Sequence, residues 1–289
     1  MFSDPHFHFK LMAQEYGIDG VDVLSKMAEN NCYFGLDIGT KACDLMERIS
    51  FCEKTINQIK DEETARKVNS FLYFSAGIWP DIDSIHDAEN QMKILRQSII
   101  ECQKKVIAIG EGGLDHHWNP GGVDGRCETD FDSKTYNCER NLFEMQLELA
   151  KELRLPFIIH SRDAFEDTLS CIKNVGYHNG IVHCFSYGID EARAFLDLGW
   201  HIAFGGGTTY TKKAKMEQMK ELLNFVPEDR FLCETDAPYL SPVPLRGTPN
   251  SPVNINYVYE FIANAKNIPV RELSCIVDKN IKCLFHLDV

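Results

Sequence analysis

Val106-Ile-Ala-Ile-Gly-Glu111 places a short apolar run directly before a carboxylate. A run so short and so rich in branched apolar side chains suits a β-strand better than a helix. Burying an unpaired carboxylate is costly, so Glu111 needs positive charge close by. A position between two cations satisfies it, as does a neighbouring arginine.

The same arrangement recurs along the chain. Strand-like runs occupy 1–7, 32–38, 71–77, 106–110, 157–160, 180–184, 200–205 and 231–235, and potential metal ligands end several of them: His6 and His8, Glu111, His160, His183 and Asp236. Between most of these runs, apolar residues fall at helical spacing, such as Leu142, Met145, Leu149 and Leu153, or Ile189, Ala192, Phe195 and Leu196. Strand and helix alternating through 289 residues predict an α/β chain folded as one (β/α)₈ TIM barrel, a single domain over 1–289. Such barrels build their sites at the C-terminal ends of the strands, where all six ligands fall. An open doubly wound sheet would gather ligands at one switch point instead. No GxGxxG opens a helix after a strand, and Gly205, Gly206 and Gly207 read as a tight turn leaving the seventh run.

No internal repeat, low-complexity tract or change of composition marks a second domain. Residues 119–140 form a long polar insert after the fourth run, and 238–252 form a Pro-rich loop after the eighth; both are expected over the barrel mouth. With 44% hydrophobic residues, no apolar stretch of membrane-spanning length and no basic and apolar leader, the chain is expected in the cytoplasm, without membrane attachment or an obligate protein partner. The eleven cysteines are scattered and none lies in a CxxC pair, so they read as reduced thiols; Cys127 and Cys138 in the insert are the one pair with a conceivable zinc or redox role. A formal charge of −13 argues against binding duplex nucleic acid through a broad basic face. An anionic substrate must be drawn in locally, which two divalent ions would do.

His6 and His8 are two apart on an extended segment and so share a side, with Asp4 one step lower and placed to orient an imidazole. Read alone, they are also consistent with surface histidines near a chain end. His160 and His183 each end an apolar run; singly each suits a hydrogen-bonded core histidine, and together beside Glu111 they suit a shared metal. Asp236 can bind metal and accept a proton from water as the general base, or cap the turn that follows it. Arg162 offers a planar fork for a phosphate or carboxylate oxygen. Imidazole and carboxylate sites of this kind accept Mg, Mn or Zn.

Six stretches, DPHFH at 4–8, GEGGLD at 110–115, LPFIIHSRDAFEDTL at 155–169, IVHCFS at 181–186, ETDAPYLSP at 234–242 and RGTPNSP at 246–252, make the chain resemble the TatD family of metal-dependent deoxyribonucleases, within the wider amidohydrolase-like barrels. The resemblance runs through nearly the whole chain in the family's order. It implies two, or three, divalent ions, with His6, His8 and Asp236 on one, His160 and His183 on the other, and Glu111 bridging. It further implies attack on phosphorus by a metal-bound hydroxide, with Asp236, Glu111 and Arg162 catalytic and DNA, often a single strand cut from its end, as substrate. The sequence departs from the family's GxHP after the third strand, reading Gly77-Ile-Trp-Pro80, so that Trp79 replaces an imidazole and either alters substrate placement or stacks on a base. The insert is longer than the family pattern suggests, and its neighbours His116 and His117 are further candidates for binding. A hydrolase of esters or amides, such as a D-aminoacyl-tRNA deacylase, fits the same ligands. A catalytically idle binding barrel would have lost some of them.

Overall fold

The computed structural model describes residues 2–102, 106–122 and 125–287. The eight apolar runs become eight strands: β1 (Asp4–Phe7), β2 (Gly35–Asp37), β3 (Leu72–Ala76), β4 (Val106–Asp115), β5 (Phe157–Arg162), β6 (Gly180–Val182), β7 (His201–Phe204) and β8 (Phe231–Cys233). Every neighbouring pair is parallel and in chain order. The sheet closes through a parallel bridge between Phe7 and Ala237. There Asp236 N–H donates to His6 C=O at 2.9 Å and His8 N–H donates to Ala237 C=O at 2.7 Å. With helices filling the connections, this is a (β/α)₈ barrel. Most strand residues are buried, as expected where helices cover one face of a parallel sheet and the barrel interior covers the other. Met1, at the start of the first expected run, lies outside the described residues, as do positions 123 and 124 of the insert.

The largest departure from the sequence reading is in β4, which continues past Gly110 to Asp115. Gly112 and Gly113 lie beyond the expected fourth run, yet they pair with Ile159 and His160 of β5. Glycine is required there for close approach: a Cβ on Gly113 would lie 1.9 Å from His160 C=O, and its φ is +148°. Gly110 faces Ile158 and Gly112 faces Ile159, so Glu111 is the extra residue of a β-bulge. Bulges re-aim a side chain locally, and this one aims a carboxylate at the barrel mouth.

The helix Ser133–Leu153 starts inside the expected insert, so the irregular segment ends at Asp132 rather than Arg140. Asp132 caps the helix, accepting from Thr135 N–H at 2.8 Å. Its buried stripe takes Leu142, Phe143, Gln146, Leu147, Leu149 and Ala150, while Met145 is half-buried and Leu153 is exposed. A glutamine occupies the stripe for a reason: its side chain accepts from Ile78 N–H at 2.8 Å and donates to Ile78 C=O at 3.0 Å, fixing the loop after β3. Among the described residues no helix is long and apolar enough to cross a membrane.

Candidate metal centre

The barrel's C-terminal face brings His6, His8, Glu111, His160, His183 and Asp236 together, and apart from the partly accessible His160 all are buried. The bulged Glu111 sits between two histidine pairs. Its Oε2 lies 2.8 Å from His6 Nε2 and 3.5 Å from His8 Nε2. Its Oε1 lies 3.4 Å from His160 Nδ1 and 4.0 Å from His183 Nε2. Asp236 Oδ1 stands 3.6 Å from Nε2 of both His6 and His8. The His6 and His183 rings stack across the centre with centroids 3.9 Å apart.

The donor set fits metal. His6 Nδ1 and Nε2, Glu111 Oε2 and His183 Nδ1 are buried without a hydrogen-bond partner, although His6 Nε2 and Glu111 Oε2 nearly touch. Each such atom costs about 1–3 kcal/mol, and a cation at the centre would remove that cost for His6 Nε2 and Glu111 Oε2, the two that face each other. Donors about 2.1 Å from one ion stand at most about 4.2 Å apart, and the separations here run from 2.8 to 4.0 Å. Two groupings could each hold an ion: His6 with His8 and Asp236, and His6 with Glu111 and His183.

Around this core, Asp115 Oδ2 stands 2.9 Å from His160 Nε2, turning the Nδ1 of that ring inward. Glu234, wholly buried, places Oε1 3.7 Å from His183 Nδ1 and accepts from Cys184 N–H. Neither carboxylate stands out in the sequence: Asp115 lies beyond the end of the expected fourth run, and Glu234 is a residue within the mostly apolar eighth run. Asp4 does not orient an imidazole. Its carboxylate accepts from Thr235 Oγ1 at 2.6 Å and from the backbone N–H of Thr235 and His6, tying β1 to the segment after β8, and burial raises it to about 8. Asp236 both faces the histidines and opens a turn, with φ at +55° and its C=O accepting from Tyr239 N–H at 2.8 Å.

Arg162 ends β5 beside Asp115 at the rim, and its charge acts on the Cys184 thiol next to His183. His116 and His117 stay outside the centre. The first pairs with Glu139 at 2.9 Å and the second with Asp163 at 2.8 Å. Cys127 and Cys138 carry free thiols and join neither metal-binding group.

The chain's residues 3–286 match the family model described as TatD related DNase. The chain belongs to the TatD family. Relatives of this TatD protein include the uncharacterized metal-dependent hydrolase YcfH of Escherichia coli K12, 30% identical over 289 residues covering 99% of this chain and 96% of that one. YabD of Bacillus subtilis, also called an uncharacterized metal-dependent hydrolase, is 36% identical over 220 residues, 75% of this chain and 79% of that one. Among solved structures, the TatD homologue YJJV of Escherichia coli superposes with a TM-score of 0.79 at 25% identity, covering 99% and 98% of the two chains. A TatD family hydrolase from Entamoeba histolytica shares the fold with the same TM-score at 22% identity, again over 99% and 98%. The protein is therefore a TatD-family metal-dependent hydrolase, and its buried histidine and carboxylate cluster has the donors to hold divalent metal.

Electrostatics in the TatD centre couple metal to protons. Burial pushes the His8 imidazole down, but Asp236 and Glu111 outweigh it and carry it up to about 9. His160 also reaches about 9, burial again being outweighed, here by Asp115 and Glu111. Burial would raise the Glu111 carboxyl, yet His183, His160 and His6 hold it well below the usual carboxylate range. In the ion-free protein His8 and His160 thus hold protons below pH about 9, and a cation must displace them. Metal affinity should rise with pH up to that range, with proton release on binding measured by calorimetry in buffers of different ionisation enthalpy. Affinity that does not change with pH would contradict these proton positions.

Proposed function

We propose that the protein hydrolyses phosphodiester bonds in DNA, acting on single strands from an end, with two divalent ions, Mg, Mn or Zn, held across Glu111. The observation that carries this reading is the bulged Glu111 turning one oxygen to each histidine pair. His6, His8 and Asp236 would hold one ion, and His160 and His183 the other. When bound, the ions supply Lewis-acid polarisation of a phosphoryl oxygen and acidify water. They also place positive charge where a chain of net charge −13 would otherwise repel a phosphate.

The protein's own groups do the rest. Asp115, 2.9 Å from His160 Nε2, would hold the proton there and leave Nδ1 for an ion. Burial tends to raise the Asp236 carboxyl, but His8, His6 and His183 keep it below its ordinary range, ionised and able to take a proton from water as general base. Arg162, at the rim, holds a phosphate oxygen through its planar fork. Arg162→Ala should raise KM for DNA by about 10-fold or more, the worth of a charge-assisted hydrogen bond, with metal content intact. Lost metal with an unchanged KM would refute that role.

The family's description as DNases supports the substrate. The test is degradation of end-labelled single-stranded DNA in Mg²⁺ or Mn²⁺ against a chelator-treated control. Metal-dependent shortening is expected; metal-loaded protein that leaves DNA whole but deacylates D-aminoacyl-tRNA would overturn the reading in favour of carbonyl chemistry.

A further inference from the structure

Beside the centre stands a braced aromatic wall that the hydrolytic chemistry does not use. Trp79 is half-buried, and its ring lies 5.9 Å from that of His160, nearly perpendicular to it. Its backbone is anchored on both sides. Trp79 N–H donates to Thr40 C=O at 2.9 Å, and Ile78 before it is clasped by Gln146. Over the indole, 5.3 Å from its centroid, lies the guanidinium of Arg126, brought from the 116–132 segment. That guanidinium is buried, donating to Pro80 C=O, to Asp115 C=O and to Glu139 Oε1, and it lies 4.6 Å from the Phe131 centroid. Both terminal nitrogens of the guanidinium are paired while Nε is buried without a partner, and the group packs one indole in place at the mouth.

A rigid aromatic beside a phosphodiester centre has a direct use. Every nucleobase has a π-face, so stacking binds single strands without regard to sequence, whereas a base inside a duplex already has both faces stacked. Preorganisation keeps the ordering cost low. We propose that Trp79, braced by Arg126, is the stacking platform for a nucleobase of the substrate strand next to the phosphodiester bound at the candidate metal centre. This rests on the nuclease reading, and it makes Trp79 a binding residue that sets the preference for unpaired strand.

The test compares two substrates, an oligothymidylate and an oligomer of equal length made wholly of abasic tetrahydrofuran nucleotides, cleaved by the metal-loaded wild type, Trp79→Phe and Trp79→Ala. For oligothymidylate, Trp79→Ala is expected to raise KM on the order of 10-fold with little change in kcat, and Trp79→Phe to recover most of the loss. For the abasic oligomer, the wild type already lacks the stacked base, so all three proteins should share one KM. Equal KM changes on both substrates, or a Trp79→Ala variant that loses metal, would reduce Trp79 to a structural role and overturn the proposal. Cleavage of neither oligomer by the wild type would fail the nuclease reading itself and take this inference with it.

Discussion

Asp236→Asn is expected to cripple hydrolysis while the barrel stays folded. The substitution keeps the shape of a residue that sits at φ +55°, a conformation asparagine also tolerates. The contacts that close the barrel and form the turn here, Asp236 N–H to His6 C=O and Tyr239 N–H to Asp236 C=O, belong to the backbone and survive. What goes is the negative charge 3.6 Å from both His6 and His8 and the group that can accept a proton from water. A fall in kcat of about 10²–10⁴-fold is expected for losing a general base, and more where a metal is lost as well. Thermal unfolding and metal analysis beside the rate separate the causes. Retained turnover with normal metal content would remove Asp236 from the base role.

Glu111→Gln should be as damaging by a different route. The carboxylate offers one oxygen to each histidine pair, and an amide can offer only one acceptor, its nitrogen being a donor. One of the two pairs then faces N–H groups and cannot share a cation through residue 111. Metal content should drop by at least one ion per chain, with a loss of turnover on the order of 10³-fold, the scale seen when preorganised electrostatic groups are removed. A variant that keeps two ions and half its rate would show that Glu111 does not bridge.

The barrel was legible because each strand, covered on both faces, must be a short apolar run, and because a polar ligand at its end interrupts that run visibly. His6, His8, Glu111, His160, His183 and Asp236 were found that way, and the fold gathers all six. Asp115 was not, because glycines that permit close strand contact look in sequence like glycines that turn a chain. The bulge that aims Glu111 was hidden for the same reason. Asp4 has the parity of the histidines, but at the start of β1 it meets Thr235 rather than a ring, a long-range contact that spacing does not report. His116 and His117 drew attention by type alone, and the carboxylates that claim them, Glu139 and Asp163, come from other segments. Arg126 lay in a polar insert with nothing to mark it as the brace of Trp79.

The central claim is that Glu111 joins two cation sites, and crystals grown with Mn²⁺ test it through anomalous scattering. Two peaks flanking Glu111 are predicted, one beside His6, His8 and Asp236 and the other beside His160 and His183. A single peak, or peaks away from Glu111, would contradict the account.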